Sequence, residues 1–177
     1  NDGYIDVENP STGEIIVKTP LSTAAETNRA IERAHEAYLK WKNVPVARRV
    51  LYLYELLYLL RKNEEKMART LVEEMGKSLP DARAEIKRVF ENIEVACGMP
   101  MLQHGDKIIG CSFDMDGEVI RLPLGVFGMI APFNFPAMVP FWFVPYATAT
   151  GNTYVVKASK QVPCTMHLIT EYIDQVK

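Results

Sequence analysis

The sequence predicts an α/β fold in which a largely helical first part leads into a strand–helix–strand–helix unit. Three observations predict it. Val126 to Ala131 is a short apolar run fit for a buried strand, and Thr153 to Lys157 is a second, β-branched and aromatic one. Ala137 to Thr150 lies between them as one apolar helix, stopped by Gly151 and Asn152, with Gly151 as left-handed cap. Upstream, apolar residues recur at helical spacing over most of the stretch from Thr23 to Cys97. A strand, a crossover helix and a strand of this length form a right-handed unit with parallel strands. In such sheets ligands bind beyond the carboxyl ends of the strands. Asn134 follows the end of the first strand and Lys157 closes the second, so both belong to one edge, the candidate site.

Composition narrows the function classes. The 177 residues can bury a substantial core and count as one domain by length. A net charge of −2 argues against a nucleic-acid backbone or an acidic membrane surface as partner. No run reaches the roughly 18 to 20 apolar residues that cross a bilayer, and Phe135 to Ala147 reads as a buried helix. Three widely spaced cysteines, an odd number, give no disulfide framework and point to a reducing, cytoplasmic location.

Taken in order, Ile5 to Val7 and Glu14 to Lys18 flank the turn Asn9-Pro10-Ser11-Thr12-Gly13 as a hairpin. Thr23 starts a helix, with Glu26 completing a capping box. Ala30, Ile31, Ala34, Ala37, Tyr38 and Trp41 give that helix one buried stripe. After Pro45, a helix from about Val46 to Lys62 is apolar around much of its surface and should pack on more than one side. The next runs from Glu64 to Gly76. Ser78 and Asp81 cap a further one, from Pro80 to Cys97, which Gly98 terminates. Lys107 to Phe113 and Glu118 to Leu122 flank Asp114-Met115-Asp116-Gly117 as a second hairpin. A final helix runs from Cys164 to Val176.

Several side chains invite a chemical role, each against a plainer one. Asn134, in a strand-to-helix turn, is a neutral donor able to face a developing oxyanion, a role worth about 3 to 4 kcal/mol in a transition state; on its own it equally reads as a helix cap. Lys157 at a strand rim can donate to hydroxyls or phosphates, or simply be solvated. Arg88, on the Pro80 to Cys97 helix, either pairs with Glu85 or Glu91 or holds a carboxylate by two parallel hydrogen bonds. Phe133, Phe135 and Trp142 are core aromatics or ligand walls. None of the cysteines reads as a nucleophile: Cys164, at a helix start, has the best local case but no base nearby in sequence. Cys97, His104 and Cys111 lack a fourth ligand and zinc-site spacing, so no metal is expected. Gly125 and Gly128 do not follow the first strand of the unit, so the ordinary glycine-rich dinucleotide fingerprint does not apply.

The stretch PLGVFGMIAPFNFPAMVPFWFVPYATATGNTYVVKASKQVP resembles the cofactor-binding segment of the aldehyde dehydrogenase superfamily. Within it PFNFPAMVP, together with CGMP at Cys97 to Pro100, is most similar to methylmalonate-semialdehyde dehydrogenases. The resemblance is dense from Arg121 to Pro163 and extends along nearly the whole chain, which matches the amino-terminal portion of enzymes more than twice as long. It implies a Rossmann-like cofactor domain. Residues 1–104 would be its helical amino-terminal part, 105–122 a protruding hairpin that assembles a homo-oligomer (dimer or tetramer), and 123–177 the βαβα cofactor-binding unit.

The resemblance also implies roles. The reaction would be NAD(P)-dependent oxidation of a small aldehyde, possible substrates including methylmalonate semialdehyde or a related semialdehyde acid, through a cysteine thiohemiacetal and a thioester resolved by water or coenzyme A. Asn134 would stabilise the tetrahedral oxyanion. Ala131, Phe133, Lys157, Lys160 and Gln161 would line the NAD or NADP site, with Lys157 on the adenosine ribose. Phe135 and Trp142 would wall the substrate tunnel, and Arg88, after the pair Gly76-Lys77, would bind a substrate carboxylate. Lys160 departs from the pattern, because many relatives carry a glutamate there that repels a 2′-phosphate. A lysine removes that repulsion and favours NADP. The nucleophile, its glutamate base and the next cofactor loop lie beyond this stretch in the family, so the chain alone is expected to be inactive. A truncated nucleotide-binding or oligomerisation module is the alternative.

Overall fold

The computed structural model describes residues 3–176. The first hairpin joins β1 (Tyr4–Glu8) to β2 (Ile15–Pro20), with a bulge between Val7 and Glu8. Its turn is held by Asn9, whose side chain accepts from Ser11 N, and by Gly13 at a left-handed φ of 76°. The chain then enters α1 (Ala24–Trp41) through the expected capping box, with Thr23 Oγ1 accepting from Glu26 N and the Glu26 carboxylate from Thr23 N. The buried stripe expected on α1 is only half covered. Ala30, Ala34, Tyr38 and Trp41 are half-buried, whereas Ala37 and Ile31 are exposed. The reason is the narrow strip by which α1 touches the rest: Thr153 Oγ1 donates to Ala34 O, Tyr38 OH to Pro123 O and Trp41 Nε1 to Thr148 O.

Three helices form the core layer: α2 (Val46–Lys62), α3 (Glu64–Met75) and α4 (Leu79–Cys97). Gly76 at φ 73° ends α3, and Ser78 Oγ accepts from Asp81 N to start α4. As its composition suggests, α2 meets several neighbours, burying Val50, Leu53, Leu56, Leu57 and Leu60, though Leu51 stays exposed. Gly98 closes α4 in a right-handed conformation (φ −77°), so the chain continues into the short α5 (Met99–Leu102), which sequence reasoning did not anticipate.

The second hairpin differs from expectation. β3 (Lys107–Ser112) pairs with β4 (Met115–Glu118), Lys107 opposite Glu118 and Ser112 opposite Met115. The turn is therefore Phe113-Asp114, and Asp116-Gly117 lies in the strand. Asp114 adopts the left-handed φ of 54° that the turn needs, which a short polar side chain tolerates, and Gly110 at φ 65° sits where the register shifts.

The decisive topology follows. β5 (Val126–Ile130) and β6 (Thr153–Lys157) pair parallel, in register from Val126 opposite Thr153 to Ile130 opposite Lys157. The crossover is not the one helix expected over 137–150 but two, α6 (Met138–Phe141) and α7 (Val144–Ala149), broken at Trp142-Phe143. Prolines explain the break. Pro140 and Pro145 have no N–H, and each falls in the first turn of its own short helix, where that donor would have no intrahelical partner. Gly151 follows at φ 87°, as expected of a left-handed cap. The chain then reaches α8 (Cys164–Ile173).

A single apolar cluster joins the two parts. Leu53, Leu60, Leu71, Ile86 and Ile93 from the helical layer meet Phe141 of α6 and Ile169 of α8. Each such side chain, fully buried, contributes about 1.5 to 3 kcal/mol. Polar groups inside this packing act as clasps. Arg49 is buried and donates from Nε to Ala149 O, a cation at the carbonyl end of α7. Glu74 is buried on α3 and accepts from Cys164 N, Thr165 N and Thr165 Oγ1 at the start of α8. Burial pushes its carboxyl above the usual range, partly offset by those bonds. Among the described residues no helix is long and apolar enough to cross a membrane.

Asn152 closes the crossover. Its Oδ1 accepts from Leu124 N (2.6 Å) and Gly125 N (2.9 Å), and its Nδ2 donates to Thr150 Oγ1 (2.8 Å). It is 6% exposed, so removing it strands two amide donors. Asn152→Ala is expected to lower the unfolding free energy by about 2 to 4 kcal/mol, and Asn152→Asp, which keeps the acceptor, by less. Chemical denaturation of the three proteins measures this, and equal losses for Ala and Asp would contradict the assignment.

Candidate active-site edge

The parallel register places the carboxyl ends of β5 and β6 side by side, and Ala131 N extends the ladder by donating to Lys157 O at 2.9 Å. Beyond this point the chain turns through Pro132–Ala137. Ala131 itself is buried, while Phe133, Asn134 and Phe135 are exposed along the turn. The Asn134 side chain makes no hydrogen bond to any described residue, so the helix-cap reading does not hold here. The start of α6 is capped instead by Glu85 of α4, whose Oε1 accepts from Ala137 N (2.9 Å) and Met138 N (3.1 Å).

The other side of the edge is basic. Lys157 is exposed at the end of β6, its ammonium donating to Ala158 O at 2.9 Å. Lys160 and Gln161 follow in an exposed turn, where Gln161 N donates to Ser159 Oγ. Residues 153–163 contain two lysines and no carboxylate. Two lysines and an amide-bearing side chain on this segment offer hydrogen-bond donors and positive charge to an anionic or hydroxylated ligand.

Other expected site residues lie elsewhere. Trp142, about half exposed, lines a mostly apolar cleft of about 450 Å³ with Phe127, Met129, Ile130, Phe143 and Tyr154; neither Asn134 nor Lys157 borders it. Phe135 instead sits under the Lys77 ammonium, 4.7 Å from its ring centre. Arg88 is on the solvent side of α4 and pairs with Glu91 at 2.6 Å, both largely exposed. Glu85, the other partner considered for Arg88, is turned inward and fully buried against Lys77.

The cysteines are unsuited to attack as they stand. Burial, with Glu74 beside it, pushes the Cys164 thiol up to about 11, so the helix start does not lower it. Cys97 is also raised, by burial and then by Glu94. Cys111 is exposed on β3. Among the described residues no cluster of three or more His, Cys, Asp or Glu side chains could hold a metal.

Lys77 and Glu85 shape this edge, although sequence reasoning took Lys77 only as half of a Gly-Lys pair and Glu85 only as a partner for Arg88. The signal was there for Glu85: it falls on the buried stripe of α4 between Ala82 and Val89, where a charge implies a partner.

The aldehyde dehydrogenase family model matches residues 1–177, the whole chain. This chain belongs to the aldehyde dehydrogenase family. It is 42% identical over 174 residues to the malonate-semialdehyde dehydrogenase of Listeria monocytogenes serotype 4b (strain F2365), covering 98% of this chain and 36% of that protein. Malonate-semialdehyde dehydrogenase 1 of Shouchella clausii (strain KSM-K16) is 44% identical over 168 residues, 95% of this chain and 33% of that protein. The chain thus spans about a third of the length of these curated relatives. Among solved structures, methylmalonate-semialdehyde dehydrogenase from Oceanimonas doudoroffii superposes with a TM-score of 0.95 at 34% identity, over 99% of this chain and 36% of that one. An Escherichia coli NADP-dependent enzyme gives 0.94 at 31% identity, over 98% of this chain and 36% of the other. In all of these matches the aldehyde dehydrogenase segment aligns almost end to end.

Proposed function

We propose that this chain supplies the adenosine-side cofactor edge and the oxyanion donor of an enzyme that oxidises a semialdehyde acid with NADP or NAD. One observation carries the reading: the parallel β5–β6 pair sets the Asn134 turn and the Lys157–Gln161 segment on a common edge. Relatives named as malonate- and methylmalonate-semialdehyde dehydrogenases support the substrate class, and a Sinorhizobium meliloti 1021 structure complexed with NAD supports the cofactor class. A nicotinamide cofactor, when bound, accepts the hydride that leaves the aldehyde carbon. The residues of this chain bind and orient. Lys157 and Lys160 present ammonium groups to the ribose and phosphates, and Ala131 and Phe133 flank the same edge. Asn134 offers an uncommitted amide N–H to the oxygen that gains charge when the carbonyl is attacked. The raised thiols of Cys97 and Cys164 fit neither to the attacking role, which the proposal gives to a thiol outside these 177 residues.

The first test is Asn134→Ala in the complete enzyme, which is expected to lower kcat about 100-fold or more with little change in KM. An unchanged kcat overturns the oxyanion role. Cofactor choice is tested by Lys160→Glu, which should move the ratio of kcat/KM for NADP to that for NAD about tenfold toward NAD, equivalent to about 1.4 kcal/mol. A strong NAD preference unaffected by the substitution would contradict the role given to Lys160. Arg88 is the candidate for the substrate carboxylate, which would have to displace Glu91 from it. Arg88→Lys should then raise KM for a semialdehyde acid and leave KM for an uncharged aldehyde unchanged; parallel changes for both substrates would refute this.

A further inference from the structure

The turn that carries Asn134 has little to hold it from within. Pro132 and Pro136 bring no N–H, and Phe133, Asn134 and Phe135 make no backbone N–H bond to any described residue. The regular ladder stops at Ala131 N, and helical bonding resumes at Val139 N, which donates to Phe135 O. Between those points the described contacts that fix the turn come from two side chains on another part of the fold. Glu85 of α4 accepts from Ala137 N and Met138 N, and its second oxygen pairs with Lys77 Nζ at 2.5 Å. Lys77 Nζ also donates to Asn134 O at 3.3 Å and lies 4.7 Å above the Phe135 ring centre.

The pair is withdrawn from water: the Glu85 side chain is 0% and the Lys77 side chain 10% exposed. A buried pair of this kind adds little net stability, because desolvation offsets the attraction, but it enforces one geometry on the groups that satisfy it. Here those groups are two amides, one carbonyl and one aromatic face, all within Asn134–Met138. A carboxylate that only capped α6 would not need the ammonium, and an ammonium that only neutralised Glu85 would not need to reach the Asn134 carbonyl. The charge-assisted bond and the cation–ring contact together fix the backbone that immediately follows the Asn134 Cα. The side chain of Asn134 makes no bond of its own, so its direction is inherited from that backbone.

We propose that Lys77 and Glu85 are positioning residues for the oxyanion donor: they aim the Asn134 amide by clamping its carbonyl, the Phe135 ring and the first amides of α6. The inference rests on Asn134 being that donor. Neither residue touches the reacting atoms, and each acts through the backbone of the turn. A displacement of about 1 Å at such a group costs as much as 100-fold in rate.

The test is a double-mutant cycle in the complete enzyme, reading kcat at saturating cofactor and aldehyde. Lys77→Met keeps the apolar stem over Phe135 and removes the ammonium. It is expected to lower kcat about 10- to 100-fold in the otherwise unchanged enzyme, and to have less than about a twofold effect once Asn134 is alanine. Glu85→Gln keeps an acceptor for Ala137 N and Met138 N but releases Lys77, and should show the same dependence on Asn134. It carries the cycle if Lys77→Met does not fold. A fall in kcat of equal size in both backgrounds, or no fall in either, overturns the positioning role while leaving Asn134 as donor. If Asn134→Ala itself leaves kcat unchanged, the oxyanion reading fails and this inference falls with it.

Discussion

Two strands that run the same way cannot be joined by a tight turn, and this constraint organises the molecule. The crossover between β5 and β6 must climb back along the sheet, which it does through α6 and α7, and that return path needs a surface to lie on. The helical layer of α2, α3 and α4 is that surface. The hundred-odd residues before the sheet are therefore not a separate module placed beside it. They share its core, and Phe141 and Ile169 are as much part of that core as Leu60 and Ile86. The edge where the strands end is a by-product of the same rule, since parallel strands deliver their last residues, Ile130 and Lys157, to one place.

Where apolar packing leaves a chain end unspecified, the fold uses a buried charge. Glu74 and Glu85 project from adjacent core helices, and each reaches the first amides of a later helix: Glu85 those of α6 in the crossover, Glu74 those of α8 after β6. Arg49 does the converse at the carbonyl end of α7. The pattern obeys helix polarity, with anions at amino ends and a cation at a carboxyl end. It also explains why polar residues with no place in the solvent sit on otherwise apolar helix faces. The two acids differ in their compensation: Glu85 has an ammonium beside it, whereas Glu74 has only neutral donors and is pushed toward its protonated form.

Much of this was legible in the sequence because it is local. Capping at Thr23 and Ser78, the helix stop at Gly76, the left-handed Gly151, and the strand character of 126–130 and 153–157 depend on neighbours in the chain, and the structure agrees. The parallel direction followed from crossover length alone. What was missed is what local patterns cannot rank. Prolines 140 and 145 compete with an apolar run that is helical by composition, and they divide it. Asp116-Gly117 is a better turn dipeptide than Phe113-Asp114, but register decides the hairpin. Glu85 was weighed as a partner for Arg88, three residues on, because spacing along one helix is visible and a lysine eight residues back in a loop is not. At the site itself, the position of Asn134 could be read from the sequence, while the clamp that holds it could not.

The thiols offer a practical consequence. Cys97 and Cys164 are shielded by packing and by adjacent carboxylates, conditions that suppress the thiolate through which alkylating reagents react. Cys111 stands in the open on β3. A maleimide would therefore go first to the hairpin, attaching a fluorophore or spin label to a ribbon remote from the Asn134 turn in sequence and free of its chemistry. Distances from that attachment point would report on how the hairpin is held relative to the helical layer of this chain.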